Sequence, residues 1–167
     1  IKIRNTYIDK LNEKKLALFR QNHIGFVFQS YNLLPTLNAI ENVSLPLAFK
    51  GVPKHIRDKK AKAMLEAVGL GTHLKHKPSQ MSGGQQQRVG IARAFISNPE
   101  IVFADEPTGN LDSKTTREVM ELITSIARKN RQTLIIVSHD ISIASYADRI
   151  IHIMDGNIQK IEVVQKN

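Results

Sequence analysis

Three short apolar runs alternate with longer helical patterns along this chain of 167 residues, and that alternation most limits the folds open to it. The runs cover residues 24–28, 101–104 and 133–137, and polar residues follow each of them. Short strands that alternate with helices are typical of a mostly parallel sheet flanked by helices. The sequence therefore predicts an α/β fold in which these three runs are buried strands.

A strand, a helix and a second strand are predicted between residues 101 and 137. Apolar residues recur at three- and four-residue spacing in the middle segment, at Val119, Leu122, Ile123 and Ile126. Asp112 or Ser113 is available to cap the start of this helix, and Asn130 lies near its end. Such a crossover joins parallel strands, so Asp105 and His139 should emerge at the same carboxyl edge of the sheet. Ligands bind at that edge in open α/β folds.

Two further segments fall outside this alternation. Residues 38–74 are interpreted as a small helical insertion, whose Lys-rich helix ends at Gly69. Residues 150–161 are predicted to form a β-hairpin around Asp155 and Gly156, because this dipeptide tolerates the positive φ angles of a tight turn. The hairpin closes the domain and carries no chemistry of its own.

The composition limits the partners of the chain. The formal net charge of +9 would suit nucleic acid, an anionic membrane surface or simple solubility. The basic stretch 54–62 lacks interleaved aromatic residues, so we favour a solvated helix face and expect no nucleic-acid partner. The chain has no cysteine, and its apolar runs are far shorter than the roughly 20 residues of a membrane-spanning helix. His73 and His76 alone make an incomplete metal site.

The segment from Ser82 to Gln85 is a candidate phosphate site. Ser82 precedes two glycines, and Gln85 stands three residues after it, as in the capping box of a helix start. Gly83 and Gly84 leave the backbone amides bare, and the positive end of the helix dipole attracts an anion. An ordinary helix cap without a ligand would explain the same four residues, so their spacing alone leaves both interpretations open.

Two adjacent carboxylates, Asp105 and Glu106, end the second predicted strand. They would repel one another unless a cation or a hydrogen-bond network used them. Because successive side chains on a strand point to opposite faces, Asp105 can address Mg²⁺ while Glu106 orients or deprotonates an attacking water. His139 follows the third strand, where it can donate to a phosphate and hold Glu106 in register. The alternative is a strand-end turn with exposed acids and an incidental histidine.

Together these segments resemble the ATPase subunit of an ATP-binding cassette (ABC) transporter. The resemblance is carried by the signature segment 81–89 with its continuation to Ala94, by residues 101–107, and by residues 138–140. The amino-acid sequences of residues 28–35, 41–43 and 104–113 are similar to those of a narrower branch of this family. That branch includes macrolide exporters, lipoprotein-release systems and bacitracin-type peptide exporters.

The resemblance implies ATP and Mg²⁺ as ligands and ATP hydrolysis coupled to transport as the activity. It implies that the signature residues cap the γ-phosphate of a nucleotide held by the opposite subunit; these residues are Ser82, Gly83, Gly84 and Gln85. Asp112 would lie in a loop that crosses the subunit interface. Gln29 would ligate Mg²⁺ together with Asp105 and touch the attacking water.

The same resemblance implies an organisation and a set of partners. Residues 1–37 and 75–167 would form a partial RecA-like catalytic core of the P-loop NTPase type. Residues 38–74 would form the helical subdomain that contacts the membrane subunits. Two such ATPase subunits dimerise head to tail beneath two membrane-spanning permease subunits, as peripheral proteins on the cytoplasmic face of the cell membrane.

One motif of that family has no match. The Walker A phosphate loop, G-x-x-x-x-G-K-[ST], occurs nowhere in the 167 residues. By resemblance, the chain begins shortly after the Walker A helix, so the first strands, the P-loop and the first helix are expected upstream of it. We therefore expect the chain alone to bind ATP weakly and not to hydrolyse it. It keeps the residues that would act on a nucleotide held by the opposite subunit. Uncovered apolar surface, with self-association or marginal stability, is also expected.

Two other classes share part of this pattern. A DNA-repair or chromosome-organising ATPase has the same signature but inserts long coiled coils, and the heptads of a coiled coil are absent here. A regulatory or RNA-binding cassette module without hydrolysis stays open because of the net charge. Such a module would bind RNA with a steep dependence on salt concentration.

Overall fold

A computed structural model of the chain describes residues 1–164. The chain divides into two compact units, Ile1–Val137 and Ser138–Asn167. Within residues 1–164, no helix is both long enough and apolar enough to cross a membrane.

The first unit holds five α-helices and five strands. In chain order these are β1 (Lys2–Ile3), β2 (Thr6–Tyr7), α1 (Glu13–His23), β3 (Ile24–Val27), α2 (Ala39–Phe49), α3 (Lys54–Ala67), α4 (Gly83–Phe95), β4 (Ile101–Asp105), α5 (Ser113–Lys129) and β5 (Thr133–Val137). Short 3₁₀ turns cover Ile8–Lys10 and Pro78–Gln80.

The central sheet has the order β3-β4-β5, and both strand pairs are parallel. Val27 pairs with Ala104, and Asp105 pairs with Val137, so the three carboxyl ends lie at one edge. Helix α5 connects β4 to β5, which confirms the predicted strand-helix-strand crossover. It begins after Asp112 and ends at Asn130, as the capping residues indicate.

One face of this sheet is packed; we call it the packed face. It is formed by residues that alternate with their neighbours along each strand, namely Gly25, Val27, Val102, Ala104, Leu134 and Ile136. Val27, Val102 and Ala104 are at most 1% exposed. Helix α4 lies so close to β3 that a Cβ placed on Gly25 would stand 2.4 Å from the Ala94 carbonyl oxygen. Only glycine fits that approach, because no real Cβ comes so near to a backbone atom.

The other face, which we call the open face, exposes large apolar side chains. It is formed by Ile24, Phe26, Ile101, Phe103, Asp105, Thr133, Ile135 and Val137. Phe26 is 43%, Ile135 39% and Val137 57% exposed, although Phe26 stacks on Phe103 with ring centroids 5.4 Å apart. The prediction that all three strands are buried is wrong for this face, since helix α4 packs on the other side. The expected uncovered apolar surface is present here.

Residues 38–74 contain α2 and α3. Asn38 and Glu41 form a capping box at the start of α2, and Gly69 adopts a φ of +80° just after α3 ends. Their apolar faces share one buried cluster with α4, which includes Val43, Leu47, Ala61, Leu65, Val89 and Ala92. Helix α4 is thus held by this helical region as well as by the sheet.

Helix α1 and the β1–β2 hairpin were not predicted from the sequence. Asn12 caps α1 by accepting a hydrogen bond from the Lys15 amide at 2.9 Å. The apolar residues of α1 all fall within residues 16–19, so they do not recur along one face as helical patterns in a sequence do, and none of them is buried.

The second unit consists of a 3₁₀ segment, Ile141–Tyr146, followed by an antiparallel hairpin of β6 (Arg149–Met154) and β7 (Asn157–Val163). Asp155 and Gly156 form the turn with φ angles of 50° and 76°. The predicted hairpin is therefore confirmed. Positive φ at both turn residues matches the right-handed twist of the paired strands.

Candidate functional site

The start of α4 has the geometry that its sequence predicts. Ser82 is the N-cap; its hydroxyl oxygen accepts from the Gln85 amide at 3.3 Å. In return, the Gln85 side-chain oxygen accepts from the Ser82 amide at 2.9 Å. This reciprocal pair of hydrogen bonds holds the first turn of the helix. Gly83 and Gly84 have no side chains to cover their backbone amides.

Both glycines of this turn are closely approached by other elements. A Cβ on Gly83 would lie 2.8 Å from the Tyr31 hydroxyl oxygen, and one on Gly84 would lie 2.7 Å from the Thr115 methyl carbon. Larger residues here would push these neighbours aside. The glycines therefore serve local packing as well as any ligand.

An open groove of about 470 Å³ separates the start of α4 from the loop before α5. Its α4 side is formed by Ser82, Gly83, Gly84, Gln85 and Arg88, and its α5 side by Asn110, Leu111, Asp112, Thr115 and Glu118. Arg88 spans the groove by donating to Glu118 at 2.8 Å, and it also donates to the Val68 carbonyl, outside the groove, at 3.2 Å. Two bare amides and a serine therefore share one concave surface with Asp112.

Asp112 caps α5. One carboxylate oxygen accepts from the amides of Lys114 and Thr115 at 3.0 Å each, and the other accepts from the Thr115 hydroxyl at 2.6 Å. The Thr115 hydroxyl, followed by these amides, lowers the pKa of Asp112 below its usual value. The capping interpretation of Asp112 is confirmed; a role across a subunit interface stays a prediction.

Asp105 and Glu106 lie where β4 ends, at the carboxyl edge of the sheet, as predicted. Asp105 is the exposed last residue of the strand, on the open face. Glu106 has left the strand: its φ is 42°, its amide donates to the Val137 carbonyl at 2.9 Å, and its carbonyl accepts from the Gly109 amide at 3.1 Å. Strand alternation therefore does not set the direction of Glu106, which corrects the reasoning that separated the two acids. A non-glycine residue with positive φ stores strain of the kind found at functional sites.

Gln29 lies beyond the end of β3, against the loop that follows Glu106. A Cβ on Gly109 would stand 2.8 Å from the Gln29 side-chain nitrogen, and Asn110 donates to the Gln29 carbonyl at 3.2 Å. The structure therefore places Gln29 beside the loop after β4, in the same region as Asp105. Its amide oxygen and the Asp105 carboxylate are the oxygen ligands that Mg²⁺ prefers. Within residues 1–164, no cluster of three histidine, cysteine or acidic residues could hold a metal ion.

Two polar side chains of α4 that sequence reasoning missed, the half-buried Arg93 and the buried Gln87, brace these loops. Arg93 donates to the carbonyls of Tyr31 and Asn32, which have φ angles of 60° and 47°. Burial lowers the pKa of Arg93. Gln87 is fully buried, and its side-chain nitrogen donates to the Pro107 carbonyl, directly after Glu106. Polar residues on the buried side of a helix were the sequence signal for both.

His139 belongs to the second unit, two residues after β5 ends. The neighbouring Asp140 caps the 3₁₀ segment, where it accepts from the Ser142 amide at 2.8 Å. Hydrogen bonds from the Ser142 hydroxyl and amide lower the pKa of Asp140. The role of His139 beside Glu106 stays a prediction.

Residues 1–109 match the protein family described as ABC transporter. The chain belongs to the ABC transporter family. An uncharacterized ABC transporter ATP-binding protein of Thermotoga maritima is 49% identical over 155 residues, which cover 93% of this chain and 66% of that protein. A protein of Escherichia coli K12 with the same description, YbbA, is 46% identical over 153 residues, or 92% and 67% of the two chains. The chain thus spans about two thirds of the length of these ABC relatives.

A further similar sequence supports the branch of this ABC chain, and a similar solved structure supports its fold. The macrolide export ATP-binding/permease protein MacB of Syntrophobacter fumaroxidans is 49% identical over 154 residues, 91% of this chain and 21% of that protein. The ATP-binding cassette MJ0796, in a dimeric post-hydrolysis state bound to ADP and Pi, superposes with a TM-score of 0.87 at 42% identity. That match covers 99% of this chain and 73% of the other. The predicted family and the P-loop NTPase-like α/β fold are confirmed.

Proposed function

We propose that this ABC chain belongs to the ATP-hydrolysing subunit of a membrane transporter and supplies the signature half of a nucleotide site shared between two subunits. One observation carries the proposal: a capping box holds Ser82 and the bare amides of Gly83 and Gly84 at the mouth of a groove. Orphan amides at the positive end of a 13-residue helix favour a phosphate there. Asp112, on the opposite wall, would face the partner subunit.

The residues at the sheet edge would act on a nucleotide bound by the chain's own subunit. Asp105 and Gln29 would hold Mg²⁺, which supplies charge neutralisation on the phosphates when it is bound. Glu106 would orient and deprotonate the attacking water, and His139 would donate to the γ-phosphate. Because the 167 residues contain no Walker A lysine, we propose that the chain alone binds Mg-ATP weakly and does not turn it over.

We further propose a head-to-tail dimer of ATPase subunits beneath membrane-spanning permease subunits, on the cytoplasmic face of the membrane. The dimeric state named for MJ0796 and the permease named in MacB support this arrangement. Residues 38–74 would contact the permease, and residues 1–37 with 75–167 would belong to the RecA-like core. Exposed Phe49, at the end of α2, provides apolar surface for such a contact.

A trans-complementation assay tests the proposal. The partner is an ABC relative with an intact Walker A loop whose own signature serine is replaced by arginine, so that it hydrolyses no ATP. Adding this chain should restore ATP hydrolysis, because one complete site forms from the partner's phosphate loop and Ser82 of this chain.

The matched control is this chain with Ser82→Arg, which should restore nothing. A substitution outside the groove, Lys59→Ser on α3, should restore hydrolysis as well as the unaltered chain does. Equal rates with the unaltered and the Ser82→Arg chains would reject the proposal.

A further inference from the structure

Both ends of the Gln85 side chain are engaged. Its oxygen accepts from the Ser82 amide at 2.9 Å, which sets the orientation of the carboxamide, because the reverse orientation would bring two donors together. Its nitrogen then faces the Nε2 atom of His73 at 3.1 Å. His73 stands 12 residues earlier, in the segment between α3 and α4.

This contact fixes the direction of one hydrogen bond. A carboxamide nitrogen can only donate, so Nε2 of His73 must accept. On the other side of the ring, Nδ1 lies 3.0 Å from the Thr72 hydroxyl oxygen.

The segment that carries His73 is anchored to the helical region. The His73 amide donates to the Leu70 carbonyl at 3.0 Å, directly after α3. The carbonyls of Leu74 and His76 accept from the amides of Ile40 and Ala39, in the first turn of α2. The backbone that carries the imidazole is therefore held by the end of α3 and the start of α2, and neither helix lines the groove.

We propose that His73 is a positioning residue for the signature serine. It holds the Gln85 carboxamide, and Gln85 in turn holds the Ser82 amide, so the chain of contacts fixes the cap that faces the phosphate. In this role Gln85 acts through Ser82, and its assignment as a nucleotide ligand stays a prediction. The expected effect of His73 on ATP hydrolysis rests on the proposed function. Its expected effect on the Ser82 cap rests on the contacts alone.

Two variants of His73 separate this role from general packing. His73→Phe keeps an aromatic ring but offers no acceptor to Gln85. His73→Gln loses the ring but offers a side-chain oxygen that can accept the same hydrogen bond. If His73 acts as an acceptor, His73→Gln should behave like the unaltered chain and His73→Phe should not; a packing role predicts the opposite order.

The first measurement is amide hydrogen exchange of Ser82 in the 167-residue chain by NMR. We expect exchange about three- to tenfold faster in His73→Phe, the range of one modest hydrogen bond, and unchanged exchange in His73→Gln. The ¹⁵N signal of Nε2 should be that of an unprotonated ring nitrogen. A protonated Nε2, or equal Ser82 exchange in all three chains, would overturn the proposal.

The second measurement is the trans-complementation rate. The rate at saturating chain should fall about three- to tenfold with His73→Phe and recover with His73→Gln, while the concentration for half-maximal rate stays unchanged. In a Gln85→Ala background, His73→Phe should have no further effect. If the unaltered chain restores no hydrolysis, the proposed function fails, and the exchange of Ser82 still decides the role of His73.

Discussion

The two faces of the β3–β4–β5 sheet differ sharply in how they are packed. On the packed face, glycine and small aliphatic residues admit α4 to within contact of the strand backbone. On the open face, Phe26, Ile135 and Val137 keep 39–57% of their surface in contact with solvent. The signature helix is anchored on the packed side, whereas Asp105 ends β4 on the open side. The residues proposed to act on a partner's nucleotide therefore lie on a well-packed helix, whereas those proposed to act on the chain's own nucleotide lie beside the open face.

The largest effect should be the difference in stability loss between removing a phenyl ring from α4, on the packed side, and removing one from the open face. Phe95, on α4, is 1% exposed, so Phe95→Ala should lower the free energy of unfolding by about 3–5 kcal/mol. Phe26→Ala, on the open face, should cost only about 1 kcal/mol, because much of that ring already meets water. Urea unfolding measures both. Equal losses would show that the open face is packed in solution.

A smaller loss should follow from Gly25→Ala. The new methyl group would meet the Ala94 carbonyl oxygen, and backbone on either side must shift, at a cost of about 1–3 kcal/mol. Gly71→Ala is the control, since the tightest contact of its Cβ would be with Cγ of the flexible Glu66 side chain, at 3.2 Å, and its nearest backbone atom would be 3.9 Å away. A stability of Gly25→Ala equal to that of the control would mean that α4 does not approach β3 so closely.

Self-association should depend on the open face. Replacing Phe26 and Val137 together by serine should reduce the associated fraction seen by light scattering, because both side chains expose apolar surface. Phe49→Ser removes an exposed ring of the helical region, at 75% exposure, and should leave association unchanged. A well-behaved monomer of the unaltered chain would contradict the expectation.

The smallest effect concerns the cap of α5. Asp112→Ala removes the acceptor of two amides and a hydroxyl and should lower Tm by a few degrees at neutral pH. The pKa of Asp112 is lowered in the folded chain, so its contribution is present above the unfolded pKa of about 3.9 and is lost as pH falls through the folded pKa. The difference in Tm between the two chains should thus shrink below about pH 4. A difference that stays constant down to pH 2 would contradict this.

Local patterns made much of this fold predictable. The strand-helix-strand crossover, the Asp155–Gly156 turn and the Ser82–Gln85 capping box each depend on residues close together in sequence. Helix α1 escaped prediction because its apolar residues are confined to residues 16–19 and do not recur along one face. The open face escaped prediction because an apolar run in a sequence does not say which of its sides is covered.

The candidate site was predictable as a set of residues but not as an arrangement. The motif residues follow from their spacing, whereas the positive φ of Glu106 depends on its bond to Val137, 31 positions away. The contacts of His73 with Gln85 and of Arg93 with Tyr31 join segments that no local pattern connects. Such contacts are set by tertiary packing, which a single sequence does not display.

Calorimetric titration of Mg-ATP into the 167-residue chain tests the central claim most directly. The positive control is the same chain preceded by a segment that carries the Walker A loop G-x-x-x-x-G-K-[ST]. The account predicts no saturable heat for the chain alone and micromolar binding for the extended form. Micromolar binding by the chain alone would reveal another phosphate cradle and would contradict the division of the site between the two faces.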